Sequence, residues 1–174
     1  MKAIETPRLY LRRFLLTDLG DFHNYAKHPE VGPPALWPPH ETKSESRQVL
    51  LSLLFRPDVF AIVHKADKKT IGSVSFYQIP EVQGQRSLGY SLAREYWDAG
   101  LATEAVRAVC AYAFDVLHVD SLLACILPEN TRSKRVVEKC RFSYIGEFFE
   151  TDSFGNNPLK EERYLLLKSA YEAF

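Results

Sequence analysis

The stretch that most constrains the fold is residues 96–105, where a strand-like run at 88–92 gives way to a long apolar helical pattern at 101–117. Gly100 lies at this junction and suits a tight turn. The first amides of a helix have no intrahelical acceptor, and the helix dipole adds positive charge there. The junction could therefore bind an anion such as phosphate. An ordinary strand-to-helix turn without a ligand explains the same residues.

The remaining elements alternate in a way that predicts an α/β fold with a mixed, mostly antiparallel central sheet flanked by helices. Three strands with short turns favour an antiparallel meander, and the 101–117 helix then leads to a strand in a parallel, right-handed β-α-β crossover. We expect one domain, 1–174. The predicted strands are 9–14, 60–64, 71–79, 87–92, 121–126, 142–150 and 163–167; the predicted helices are 17–27 capped by Thr17, 41–55, 101–117 and 130–140.

Composition and charge narrow the class of protein. The chain has 46% apolar and 25% charged residues with a formal net charge of zero, which is typical of a soluble globular domain and predicts no bulk attraction to nucleic acid or anionic membrane. No apolar run has the length of a membrane span, and the opening residues do not resemble a signal peptide.

Three widely spaced cysteines, Cys110, Cys125 and Cys140, indicate neither a zinc site nor a disulfide framework. They are read as buried, reduced thiols, which favours a cytoplasmic protein. The five histidines show no metal-ligand spacing, so we predict no metal.

Three motifs resemble those of a known family. The run Tyr96-Trp97-Asp98-Ala99-Gly100-Leu101-Ala102-Thr103-Glu104-Ala105 is similar to the acyl-CoA loop of the GNAT N-acetyltransferases. It is most similar to the branch that acetylates the N-terminal alanine or serine of ribosomal proteins. The opening Thr6-Pro7-Arg8-Leu9 and the later Asn130-x-x-Ser133 extend the match. Trp97 stands where the wider superfamily has Gln or Arg.

The resemblance implies a GNAT fold and transfer of an acetyl group from acetyl-CoA to a primary amine, most simply a protein or peptide N-terminal α-amine. It implies two catalytic groups, the backbone N–H of Leu92 at the thioester carbonyl and the Ser133 hydroxyl near the leaving sulfur. The implied cofactor-binding residues are Tyr90, Ser91, Leu92, Ala93, Trp97, Asp98, Ala99, Gly100, Leu101, Ala102, Thr103, Asn130 and Ser133.

Several points stay open in the sequence. Val137 occupies the position at which many superfamily members carry a Tyr general acid, and Arg141 replaces a usual Gly. Asn130 also fits a plain helix N-cap, and Ser133 a surface hydroxyl. The general base could be any of four side chains, and a basic cluster could meet the CoA 3′-phosphate or simply face solvent. The base candidates are Tyr77, Glu95, Glu147 and Glu150; the basic cluster is Arg132, Lys134, Arg135, Lys139 and Arg141.

Two other functions remain compatible with these residues. The chain could be a non-catalytic acyl-CoA-binding regulatory module, or an acetyltransferase of a small-molecule amine. The loop 29–39 holds five of the ten prolines together with Trp37, and we expect it to form the acceptor wall with the helix that follows. The sequence allows a monomer or a homodimer.

Overall fold

The computed structural model describes residues 3–79, 82–151 and 158–172. Its helices and strands follow the predicted order, with a short strand added at the start and a short helix at the end. The strands are β1 (Ile4–Glu5), β2 (Leu9–Arg12), β3 (Val59–His64), β4 (Lys69–Gln78), β5 (Gln85–Leu92), β6 (Ser121–Ile126), β7 (Ser143–Thr151) and β8 (Pro158–Leu167); the helices are α1 (Leu19–Ala26), α2 (Lys43–Leu53), α3 (Leu101–Asp115), α4 (Thr131–Lys139) and α5 (Lys168–Glu172).

The contacts divide the chain into two compact units. The first contains Met1–Phe76 and Gly89–Val109, and the second contains Tyr77–Leu88 and Cys110–Phe174. Strands β4 and β5 and helix α3 each begin in one unit and end in the other.

The strands form one mixed sheet in the order β1-β2-β3-β4-β5-β6-β8-β7, which confirms the predicted fold class. In the first unit, β2 pairs antiparallel with β1 and β3, and β3 pairs antiparallel with β4. The Ala93 amide donates to the Ile71 carbonyl at 2.7 Å, and the Ser75 hydroxyl donates to the Gly89 carbonyl at 3.4 Å. Residue numbers rise along β4 as they fall along β5, so this pair is antiparallel too.

The second unit contains the parallel pair that the crossover predicts. Strand β5 pairs with β6 from Gln85↔Ser121 to Ser87↔Leu123. Strand β8 then inserts between β6 and β7 and is antiparallel to both. The sequence places β8 at 163–167, but the strand begins at Pro158 because its first half pairs with β7, through Thr151↔Pro158.

Helix α1 begins later than the sequence predicts. Thr17 is not its cap, since a 3₁₀ turn at Leu16–Asp18 precedes the helix. The Asp18 carboxylate forms this turn by accepting from the Leu15 amide at 2.7 Å, while Arg12 donates to both of its oxygens at 2.8 Å. Because the same carboxylate also holds the end of β2, the predicted strand 9–14 stops at Arg12.

The core of the first unit lies where α1 and α2 pack against strand β3. Its buried members include Phe14, Phe22, Tyr25, Leu50 and Val59, and Trp37 and Trp97 pack against them. Helix α2 begins at a conventional cap, in which the Thr42 hydroxyl accepts from the Glu45 amide at 3.1 Å.

Two smaller expectations are corrected. Cys110 and Cys140 are buried, but Cys125 is exposed, because it lies on β6 opposite Arg163, where its side chain reaches the surface.

Helix α3 ends at Asp115 rather than near 117, since His118 has a left-handed φ of 53° and the Val119 amide turns back to the Ala113 carbonyl. Among the described residues, no helix is both long and apolar enough to span a bilayer.

Candidate active site

The Gly100 loop joins β5 to α3 through a 3₁₀ turn at Arg94–Tyr96. Gly100 has φ of 76°, a left-handed value that favours glycine. A Cβ added there would meet only the Arg8 Nη2 atom, at 3.6 Å, so the backbone conformation rather than crowding requires glycine. The first helical bond of α3 runs from the Glu104 amide to the Gly100 carbonyl at 3.1 Å, and the amides of Leu101 and Ala102 precede it.

The first part of this loop is held by aromatic side chains. The Trp97 indole N–H donates to the Leu92 carbonyl at 2.7 Å, and the Arg94 guanidinium lies over the Trp97 ring, 4.8 Å from its centroid. The Tyr96 hydroxyl donates to Asp67 at 2.7 Å. Trp97 therefore closes the turn after β5. Its position in the sequence motif did not reveal this structural role.

The second part of the loop is held by the N-terminal motif. Glu104, in the first turn of α3, accepts hydrogen bonds from Thr6 and Arg8, and Arg8 Nη1 also donates to the Ala99 carbonyl at 2.9 Å. The sequence had singled out the Thr6-Pro7-Arg8 and Thr103-Glu104-Ala105 motifs separately. Their contact was missed because 98 residues separate Thr6 from Glu104 and no spacing rule links them.

The end of β5 lies against β4 at close range. A Cβ on Gly72 would fall 2.2 Å from the Ser91 carbonyl oxygen, so only glycine fits there. The Ser73 and Ser91 hydroxyls are 3.2 Å apart. The pairing of β3 with β4 shifts register here, between Ile62 and Val63, which leaves Ile71 as the extra residue on β4.

The predicted cofactor residues of the first unit thus follow one another along a strand, a turn and a helix start. Leu92 and Ala93 are buried, Tyr90, Ser91, Trp97, Ala102 and Thr103 are half-buried, and Asp98, Ala99 and Gly100 are exposed. Leu101 is buried and anchors the first turn of α3. Such an arrangement can present backbone amides to a phosphate group.

The other two predicted residues lie in the second unit, at the start of α4. The Asn130 side-chain oxygen accepts from the Ser133 amide at 3.1 Å, so Asn130 is the helix N-cap. Ser133 is half-buried. Val137, in place of the family's Tyr, is fully buried in the apolar core of this unit.

The turn after α4 forms even though Arg141 replaces glycine. Arg141 adopts a left-handed φ of 66°, and its amide donates to the Glu138 carbonyl at 2.9 Å. The Phe142 amide donates to the Val137 carbonyl at 3.0 Å. This pattern is a normal helix C-terminal turn, reached here by a residue for which that φ is strained.

The basic cluster divides into two kinds of side chain. Lys134 is half-buried and donates to Glu162 on β8 at 2.6 Å, and this hydrogen bond lowers the pKa of Glu162. Arg132, Arg135, Lys139 and Arg141 are exposed. Lys134 therefore ties α4 to the sheet of its unit, which leaves the exposed cations as candidates for the 3′-phosphate.

The surroundings of the four candidates for the general base do not favour one of them over the others. Tyr77 and Glu95 are exposed, and Glu147 forms an exposed ion pair with Lys160 at 2.8 Å. The side chain of Glu150 lies outside the described part of the chain. Within residues 3–79, 82–151 and 158–172, no three His, Cys, Asp or Glu side chains gather in a group that could hold a metal ion.

The proline-rich loop 29–39 is an ordered part of the first unit. Pro33–Ala35 form a 3₁₀ turn, and Trp37 packs so closely on Gly32 that a Cβ there would lie 2.6 Å from its ring. The amide of His40 donates to the Ala26 carbonyl at 3.0 Å, and its imidazole lies 5.5 Å from the Trp37 ring. The loop is thus fastened at its C-terminal end to α1.

A polar contact inside this wall joins the two helices. The Ser46 hydroxyl lies 2.8 Å from His23 Nδ1 and 2.9 Å from His40 Nδ1. Burial is the main reason that the pKa of His40 is lowered. His40 is therefore neutral at pH 7 and can share a hydrogen bond with Ser46 without bringing a charge into the core.

Comparison with known proteins agrees with this geometry. Residues 8–143 match the family described as the acetyltransferase (GNAT) domain. The chain is 29% identical to an uncharacterised N-acetyltransferase, p20, of Bacillus licheniformis, covering 98% of this chain and 99% of that protein. Its fold matches a GNAT-family acetyltransferase of Bacillus anthracis with a TM-score of 0.87 at 24% identity, covering 97% and 99% of the two chains.

Two further solved structures match this fold to the same degree as each other, and their names give different acceptors. A ribosomal-protein-S5-alanine acetyltransferase of Vibrio fischeri and a spermidine N-acetyltransferase of Vibrio cholerae, in complex with CoA and spermine, each give a TM-score of 0.77 at 22% identity. They cover 97% and 96% of this chain, and 97% and 99% of their own. The family match spans most of the chain and contains the Gly100 loop. This protein therefore belongs to the GNAT acetyltransferases and is an acetyl-CoA-dependent N-acetyltransferase.

Proposed function

We propose that the acceptor is the α-amine of a peptide or protein N-terminus. The observation that carries this proposal is the loop part of the proposed acceptor wall, which is ordered, rich in apolar side chains and almost free of acidic ones. Residues 29–40 contain one carboxylate, Glu30, and its Oε2 atom already lies 3.3 Å from Arg94. The segment that follows adds Glu41 and Glu45, and the Glu45 Oε2 atom accepts from the Glu41 amide at 2.8 Å. A polyamine acceptor would need several carboxylates to replace the solvation of its charges.

A preformed wall lowers the cost of binding an extended peptide. Trp37 contacts Gly32 and His40, and the proline rings restrict the backbone of the loop, so little conformational entropy is lost when an acceptor binds beside them. An apolar surface also suits the first side chains of a polypeptide better than it suits a small polycation.

We also propose that acetyl-CoA places its pyrophosphate at the Gly100 turn and the first amides of α3, with its thioester beside β5. Its carbonyl would accept from the Leu92 amide as negative charge develops on the oxygen. The amine nitrogen then bonds to the carbonyl carbon, the C–S bond breaks, and the sulfur leaves as a thiolate. Ser133 is the proposed donor of a proton or hydrogen bond to that sulfur.

The absence of an assigned strong base is consistent with an α-amine acceptor. An α-amine has a reference pKa of about 8, against about 10.4 for a lysine side chain. The neutral fraction of an α-amine at pH 7 is therefore larger than that of a lysine side chain by a factor of roughly a few hundred. A water molecule or a weak base then suffices to remove the proton.

The acceptor proposal is tested with a panel of amines at saturating acetyl-CoA. We expect turnover with short peptides that have a free N-terminus, and little with the same peptides when the N-terminus is blocked and only a lysine remains. Spermidine and small amines complete the panel. Equal rates on the blocked lysine peptides, or turnover only of the polyamine, would refute the N-terminal assignment and leave the acetyltransferase activity in place.

A further inference from the structure

Arg8 makes two contacts that lie on opposite sides of the Gly100 turn. Its Nε atom donates to Glu104 Oε2 at 2.6 Å, and its Nη1 atom donates to the Ala99 carbonyl at 2.9 Å. Ala99 directly precedes Gly100, and Glu104 lies one helical turn after it. One guanidinium therefore spans the residue with the greatest backbone freedom in the loop.

Glu104 is nearly saturated by this arrangement. Its Oε1 atom accepts from the Thr6 hydroxyl at 2.6 Å and from the Arg8 amide at 2.9 Å, in addition to the bond to Oε2. Burial by itself would raise the pKa of Glu104, but these donors outweigh it and the pKa is lowered. Glu104 is thus ionised at neutral pH, and its bonds with Arg8 are charge-assisted and short.

The position of these contacts matters for phosphate binding. A phosphate at a helix start needs several amides aimed at one point, and a glycine at that point has many alternative conformations. The contact with Ala99 fixes the carbonyl before the turn, and the contact with Glu104 fixes the first turn of α3. Arg8 Nη2 also approaches within 3.6 Å of the place where a Gly100 Cβ would lie.

We propose that Arg8 and Glu104 are positioning residues for the donor substrate, which hold the Gly100 turn in the conformation that receives the CoA pyrophosphate. Thr6 supports Glu104 in the same network. This inference rests on the proposed donor site at the start of α3. It assigns to the Thr6-Pro7-Arg8 motif a part in cofactor affinity and no part in acetyl transfer or acceptor binding.

Two substitutions break the network without adding bulk. Arg8→Lys keeps the positive charge, but one ammonium cannot reach both Glu104 and the Ala99 carbonyl. Glu104→Gln keeps the shape but places an amide donor against an Arg8 donor. Glu5→Gln is the matched control, because Glu5 lies on β1 and its exposed ion pair, at 2.7 Å, is with Lys65 rather than with a residue of the loop 96–105.

We expect the KM for acetyl-CoA and the calorimetric Kd for CoA to rise about tenfold in Arg8→Lys and in Glu104→Gln, the effect of losing one charge-assisted hydrogen bond. We expect kcat at saturating acetyl-CoA, and the KM for the acceptor, to change less than about twofold, because the reacting groups are untouched. The double variant should bind CoA about as tightly as the more impaired of the two single variants, since both substitutions act through one network. Glu5→Gln should match wild type throughout.

The outcomes separate the inference from the proposal beneath it. Wild-type protein that binds no CoA would overturn the donor site itself. Wild-type affinity for CoA in folded Arg8→Lys and Glu104→Gln, with only the melting temperature lowered, would overturn the positioning role and leave a plain N-terminal tether. Should both variants fail to fold, Thr6→Val removes one hydrogen bond to the same carboxylate, together with the contacts of the Thr6 hydroxyl with the Leu9 amide and carbonyl. An unchanged Kd for CoA in that folded variant would overturn the role equally.

Discussion

Ser133 is the single side chain whose chemistry matters most to the proposed reaction. Its amide is already engaged by the Asn130 cap, which fixes the backbone of the first turn of α4. The hydroxyl is half-buried, and the family's Tyr is replaced by a fully buried Val137 that cannot donate a proton. In the proposed reaction, Ser133 is therefore the donor to the departing thiolate, directly or through water.

At this scale we expect Ser133→Ala to lower kcat by about 10²-fold, within the usual range for acid catalysis, while the Kd for CoA changes little. The cap survives, because it uses the backbone amide of residue 133. Ser52→Ala is a suitable control, since that hydroxyl is exposed on α2 and bonds only to the Val49 carbonyl in the described structure. Steady-state kinetics with calorimetry decides the matter: reduced CoA affinity with an intact kcat would make Ser133 a binding residue instead.

At the scale of the element, the turn between β5 and α3 combines a left-handed glycine with side-chain contacts on both sides of it. Gly100 has a left-handed φ, Trp97 closes the end of β5, and Arg8 ties both sides of the turn. These contacts hold the turn in one conformation, and a turn held in this way gains affinity for a flexible cofactor without a large ordering cost.

A matched pair of substitutions tests whether a phosphate lies at this turn. Asn and Asp tolerate left-handed backbone similarly and have nearly the same shape, so Gly100→Asn and Gly100→Asp differ mainly in charge. We expect Gly100→Asp to bind CoA at least about tenfold more weakly than Gly100→Asn, because its carboxylate repels the pyrophosphate. Equal calorimetric affinities for the two variants would place the phosphates elsewhere.

What the sequence could predict at this scale follows from how local each signal is. The Gly100 turn, the Asn130 cap and the parallel β5–β6 crossover were predicted because their determinants lie within a few residues of each other or follow a chirality rule. The Asp18 turn was missed, because it depends on hydrogen bonds that the Asp18 carboxylate accepts from Arg12 and from the distant Thr70, which only the folded chain brings together. The Arg8–Glu104 contact was missed for the same reason, since only the folded chain brings the two together.

At the scale of the whole molecule, the chain divides by contacts into two units, yet β4, β5 and α3 each pass through both. A domain boundary usually falls in an exposed linker that few contacts cross. Here the division cuts two strands and a helix, so unfolding one unit would unravel elements of the other. The single-domain assignment to 1–174 stays a prediction, and it is open to direct test.

We expect one cooperative unfolding transition, with a calorimetric enthalpy equal to the van't Hoff enthalpy. At about 0.7 kcal/mol per residue, the 174-residue chain should absorb roughly 120 kcal/mol near 60 °C. Scanning calorimetry supplies both enthalpies, and acetyl-CoA at saturating concentration should move the transition upwards as one peak. Two resolved peaks, of which only one responds to acetyl-CoA, would show that the units fold separately.

The contact between Thr6 and Glu104 also has a consequence for the order of events during synthesis. The hairpin of β1 and β2 is made first, but its acidic partner follows 98 residues later, which at about 5–20 residues per second is roughly 5–20 s of translation. Closing so long a loop is entropically costly until the rest of the sheet is present. A nascent chain halted before residue 104 would therefore contain the whole N-terminal hairpin and lack the carboxylate that locks it.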